Sequence, residues 1–184
     1  MPMHGDRLIG KAASRSVVLL AASFAAAFVA SSATASPRTR AVALSPLESG
    51  VLLDINAFRA QHGLAKLRVS PKLTAAARAH SSQMARDGYF AHESADGSPF
   101  WKRVQSFYTR TRFWSVGENL LFASPTIDPN GALKLWLASP EHRRNLMNPL
   151  WREIGVSAVH AESAPGAYQG MAVTIVTTDF GVRK

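Results

Sequence analysis

A Ser-Pro dipeptide heads four stretches of this chain, at Ser45, Ser70, Ser98 and Ser139, and it sets where helices begin. A serine hydroxyl accepts from the backbone N–H groups that a first helical turn leaves unpaired, and a proline next to it needs no N–H of its own. In "SPLE", Glu48 adds the reciprocal half of a capping box. Leu47, Val51, Ile55 and Phe58 then recur at helical spacing, so this helix buries one face. Gly63 follows as its stop, with His62 near the negative end of the dipole. "SPKL" opens a second helix whose apolar stripe is Leu73, Ala76, Ala77, His80 and Met84, and "DG" at 87 stops it. "SPFW" opens a short third helix, "NGALKLWLA" reads as a fourth, and "SPEHRRNLM" as a short helical turn after it. Between Thr109 and Pro129 the pattern is irregular.

Toward the end the period changes from helical to alternating. "EIGVSAV" puts Ile154, Val156 and Ala158 on one side, and "GMAVTIVTTDF" alternates Met171, Val173 and Ile175 in a run rich in β-branched residues. These are two strands, with "HAESAPGAYQ" as the turn between them. Helices first and strands last predict an α+β fold rather than alternating βαβ units.

Residues 1–35 read as a secretory signal peptide. Arg7, Lys11 and Arg15 give a positive start, residues 17–30 form an apolar run, and Ala33 and Ala35 make an A-x-A site with cleavage expected after Ala35. The run has 14 residues, short of the ~20 that span a bilayer, so no stable transmembrane anchor is expected. Residues 36–44 read as a short tail and residues 45–184 as one domain, secreted or periplasmic after cleavage. The chain has no cysteine. An exported domain without disulfides relies on its apolar core alone, and thiolate catalysis and thiolate metal sites are excluded. The formal net charge of +9 falls to about +7 once residues 1–35, with three basic residues and one acidic, are removed; it serves solubility and gives loose attraction to acidic envelope polymers or lipid headgroups. Nucleic acid is not an expected partner, because no basic face interleaved with aromatics stands out.

Chemistry narrows to few residues. His62 has its cap role, His80 lies on an apolar stripe as a core histidine does, and His160 sits at a strand end facing solvent. His92 stands in "YFAHESADGSPF", a loop anchored by Tyr89, Phe90 and Phe100, where it is either a ligand or proton carrier or an ordinary polar loop residue. Glu118 stands in "WSVGENLLFA" among Trp114, Val116, Leu120, Leu121 and Phe122. A carboxylate there is costly unless paired, so it is a hydrogen-bond hub or a site residue. His142 falls in the first turn after Pro140, with Glu141 before it and Arg143 and Arg144 after. Two histidines and a carboxylate, if convergent, make a site for zinc or a similar divalent ion with a position open for water. Without metal, Glu118 is the candidate general base and a histidine the acid.

The run "LLDINAFRAQHGLAKLRVSPKLTAAARAHSSQMARDGYFAHESADG", then "VGENLL", "LWLASPEHRRNLMNPLWREIGVSAV" and a final "TTDFG" resemble the bacterial branch of the CAP superfamily, also called the SCP domain family. The resemblance covers about Leu44 to Gly181. It implies a three-layer α–β–α sandwich with a central antiparallel sheet and a cleft. In many members a tetrad of two histidines and two acidic residues lines that cleft, and the histidines can hold a divalent metal such as zinc. His92, Glu118 and His142 match three of the four positions. The fourth does not carry over: Ser139 stands where eukaryotic relatives place a glutamate after the tryptophan here numbered Trp136. Glu141 is the nearby acid and would have to point into the cleft to serve as a binding group. Asn119, Trp136 and Asn145 match as structural residues. The resemblance implies several roles, and three readings follow. The chain is an envelope or extracellular binding module for a lipid, cell-wall polysaccharide or protein; or a metal-assisted hydrolase using His92, His142 and Glu118; or its cleft residues are purely structural.

Overall fold

The computed structural model describes residues 42–109 and 111–184. The expected signal peptide and the tail as far as residue 41 lie outside the described residues. Helix α1 runs Pro46–Gln61 behind a complete capping box: Ser45 Oγ accepts from Glu48 N, and the Glu48 carboxylate accepts from Ser45 N. Helix α2 runs Pro71–Asp87 behind Ser70, which accepts from Leu73 N at 3.4 Å, and Gly88 ends it in the left-handed region at φ 73°. The other Ser-Pro sites begin helices without that bond. Helix α3, Phe100–Phe107, starts one residue later than expected, with Pro99 rather than Ser98 at its cap. Helix α4, Pro129–Ala138, begins behind Asp128, whose carboxylate accepts from Gly131 N. Helix α5, Pro140–Met147, starts at Ser139, whose hydroxyl makes no cap bond.

The strands are β1 Arg68–Val69, β2 Trp114–Ala123, β3 Glu153–Ala161 and β4 Val173–Arg183, ordered β1-β3-β4-β2. The three long strands are antiparallel, and the two-residue β1 lies parallel to β3, so the sheet is mixed. The stretch after Thr109, irregular as sequence, is strand β2. Met171 precedes β4 rather than belonging to it.

Helices cover both faces. Trp136, Val51, Ile55 and Leu146 pack with Ile154, Val156, Val176 and Phe180 under α1, α4 and α5. Met84 and Ala85 of α2 pack with Leu120 and Ile175 on the other face, and Val104 of α3 meets Leu73 and Ala76. These are the three layers of an α–β–α sandwich. Gly155 sets how closely α2 lies on β3. A Cβ at that position would stand 2.1 Å from the carbonyl carbon of Leu73, so only glycine lets the helix backbone rest on the strand. Strand β2 is an edge, and the opposite layer covers it: Trp136 Nε1 donates to Leu120 O at 3.1 Å and Asn145 Nδ2 to Glu118 O at 3.0 Å.

Candidate functional site

Strand β2 sets Glu118 opposite Asp179 of β4 in the ladder, both facing the α2–α3 layer. The Glu118 side chain is 1% exposed. Burial of a carboxylate demands partners, and two cationic groups supply them. His92 Nδ1 lies 2.8 Å from Glu118 Oε1, and Arg103 Nη2 donates to Glu118 Oε2. Arg103 comes from the inward stripe of α3 beside Phe100, Val104 and Phe107. Its Nη1 also donates to His92 O at 3.1 Å and Ser94 Oγ at 3.2 Å, which fixes the loop that carries His92. His80 secures the same loop from beneath, its Nε2 donating to Ala91 O at 2.9 Å. It is a fully buried, hydrogen-bonded core histidine.

His142 arrives from α5. Asn119 Nδ2 donates to His142 O, and Asn145 Nδ2 donates to Asn119 Oδ1 and Glu118 O. These bonds tie the first turns of α5 to β2, the structural role expected of Asn119 and Asn145. The result is a cleft of about 420 Å³ lined by His92, Phe100, Glu118, Glu141, His142 and Asn145. All four candidate site residues therefore line one depression. Glu141 stands exposed at its rim in the first turn of α5.

The two histidines titrate apart. The hydrogen bond to Glu118 raises the His92 pKa above the ordinary histidine value of 6.5. Burial lowers that of His142, and the charge of His92 lowers it further. Asp179 is fully buried, and neither of its oxygens has a hydrogen-bond partner among the described residues. Burial, then the charge of Glu118, holds its pKa well above 3.8. Two carboxylates side by side cannot both ionise cheaply. Glu118 holds the cations, so Asp179 carries the proton.

Both oxygens of Glu118 are committed, and such a carboxylate orients a histidine rather than abstracting a proton from water. Holding Nδ1 leaves His92 Nε2 as the free ligating atom, the arrangement in which a carboxylate stands behind a metal-binding imidazole. Among the described residues His142 makes no ring hydrogen bond, so its nitrogens are also open. Among the described residues no three His, Asp or Glu side chains are grouped to hold a metal ion. A divalent ion here would have only His92 and His142 as open protein ligands, with its remaining positions left to water or ligand. Sequence reasoning missed Arg103 and Asp179. The signal for each was a charge set in an apolar pattern: Arg103 between Phe100 and Phe107, Asp179 within "VTIVTTDFGV".

The family model described as CAP, the cysteine-rich secretory protein family, matches residues 52–178. The chain is 36% identical over 121 residues to the Bacillus subtilis protein YkwD, covering 65% of this chain and 45% of that protein. It is 32% identical over 106 residues to the B. subtilis membrane protein YlbC, covering 57% of this chain and 30% of that one. The chain thus spans less than half the length of either relative. Among solved structures, an outer surface protein of Borrelia burgdorferi shares the fold, with TM-score 0.59 and 19% identity, over 78% of this chain and 97% of that one. An extracellular SCP-domain protein of Bacillus anthracis matches with TM-score 0.55 and 28% identity, over 78% of this chain and 45% of that chain. On its motifs, its sandwich and the family model that spans most of its length, the chain belongs to the CAP family, although it has none of the cysteines in that family's name.

Proposed function

We propose that this is an exported CAP-domain binding module whose His92–His142 cleft takes an envelope or extracellular ligand, a lipid, a polysaccharide or a protein. The observation that carries this reading is the saturation of Glu118: with one oxygen on His92 and the other on Arg103, the acid serves the shape of the cleft. Export is supported by the basic, apolar and A-x-A start, and by the extracellular SCP-domain protein of B. anthracis. No described helix is long and apolar enough to cross a membrane. The test is a salt-controlled pull-down of the chain on envelope preparations and on lipid vesicles, beside a His92→Ala/His142→Ala variant. Retention that the double variant loses supports the module. Retention equal to background in both preparations, or equal in wild type and variant, removes it.

A second reading, a metal-assisted hydrolase, draws on the His92–Glu118 pair. A divalent ion on His92 and His142 would supply an acidified water, and Glu118 would hold the imidazole in place. Because His92 must lose its proton to ligate, zinc affinity should rise as pH passes its raised pKa. Calorimetric zinc titration checks this, and equal affinity in the double variant sinks it.

A further inference from the structure

The cleft is not the largest depression on the molecule. A trough of about 780 Å³ runs between α2, the 91–99 loop and α3, walled by Gln83, Arg86, Ser94, Ser98, Lys102 and Arg103. Arg103 therefore joins this trough to the Glu118 pair. Its side chain is only 8% exposed. Nη1 is spent on His92 O and Ser94 Oγ, Nη2 gives one of its two N–H groups to Glu118, and Nε is buried with no partner among the described residues. A guanidinium N–H left so is costly.

The rest of the wall is also rich in donors. Gln83 Oε1 already accepts from Tyr89 Oη at 2.8 Å, which leaves the amide nitrogen to donate. Ser94 Oγ accepts from Arg103, so its proton must go elsewhere. Lys102 and Arg86 are exposed cations, Arg86 held by its neighbour Asp87 at 2.7 and 2.9 Å. The one carboxylate in the wall, Asp96, accepts from Ser98 N at 2.9 Å. Three cationic side chains, two of them already paired with Glu118 and Asp87, and several unspent donors surround a single wall carboxylate that is itself partly spent. The complementary ligand has acceptors only and negative charge, which describes an oxyanion.

We propose that this trough is a second ligand site, separate from the His92–His142 cleft, that takes a phosphate or carboxylate group, free or carried on a polymer, through Arg103, Lys102 and Arg86. The site stands whether or not the cleft binds as proposed above.

The test is a titration of the ¹⁵N-labelled full chain with inorganic phosphate, at ionic strength held constant with sodium chloride. The reporters are the Arg103 Nε–Hε signal and the amides of Ser94, Ser98 and Lys102. Saturable shifts at these positions are expected. An Arg86→Ala/Lys102→Ala variant, which alters only exposed side chains, should bind at least about tenfold more weakly. Polygalacturonate and a phosphodiester-linked polyol polymer, titrated in place of phosphate, separate the sources. Tighter binding of either polymer than of free phosphate supports a polymer-borne group, and equal binding supports the free anion. Equal affinity in the double variant overturns the proposal. So do shifts reproduced by chloride alone, or shifts confined to His142 and Asn145.

Discussion

Glu118 is affordable inside this fold because two cationic groups share one carboxylate. Replacing it tests that account directly. In Glu118→Gln, Arg103 keeps its burial and loses its counter-charge, a loss of about 3–5 kcal/mol by the usual cost of breaking a buried pair. His92 loses the bond that raises its pKa, so its ring titration should move down toward or below 6.5. A group with a raised folded pKa contributes stability that is present below its unfolded pKa and lost as pH rises through the folded one. The destabilisation of Glu118→Gln should therefore be greater at pH 5 than at pH 8. Ring NMR and chelator-treated thermal melts check both halves, and an unmoved His92 midpoint would break the argument. The same residue shows what a sequence discloses. Glu118 stood out because a carboxylate among Trp114, Val116 and Leu120 demands a partner. The partner, Arg103, lies in another element, and one-dimensional spacing carries the demand without its answer.

At the scale of elements, α5 reaches β2 through amide side chains rather than charge. Asn145→Ala would leave Glu118 O and Asn119 Oδ1 without their donors, a cost of about 1–3 kcal/mol for buried acceptors. Because His142 rides on α5, the expected signature is local. Amide exchange over Pro140–Met147 should quicken well before that of β4 in hydrogen-exchange measurements, whereas unchanged protection of α5 would show that the latch is not what holds it. Helix starts were legible because Ser-Pro acts within three residues, and β3 and β4 because a strand of β-branched residues needs little context. Strand β2 was not. Helices cover the sheet on both sides, so its middle, Glu118 to Leu121, is buried on both faces and no alternation survives. For the same reason the parallel pairing of β1 could not be read from two residues.

For the whole molecule, with no disulfide to hold the layers, the buried titratable groups set how stability follows pH. His80 is fully buried and its pKa falls to about 4, chiefly through burial. Between 6.5 and 4 the unfolded chain binds a proton that the fold refuses, so this group lowers stability as pH falls, by about 3 kcal/mol across the window. Asp179 acts in the opposite sense. Its folded pKa lies well above 3.8, so the fold holds a proton that the unfolded chain has released, and stability is lost as pH rises from about 4 through that raised value. Each slope is about 1.4 kcal/mol per pH unit. Above pH 4 the two slopes oppose each other for as long as Asp179 keeps its proton, and His92 adds a further loss as pH rises through its raised pKa. Asp179→Asn keeps the shape and removes the titration, so its stability should climb more steeply than that of the wild type as pH rises from 4. His80→Gln should begin its decline near pH 4. Urea midpoints by tryptophan fluorescence from pH 4 to 9 give all three profiles. A wild-type curve that climbs in parallel with Asp179→Asn would mean that Asp179 is ionised within the fold, and the proton assigned to it beside Glu118 would have to be withdrawn.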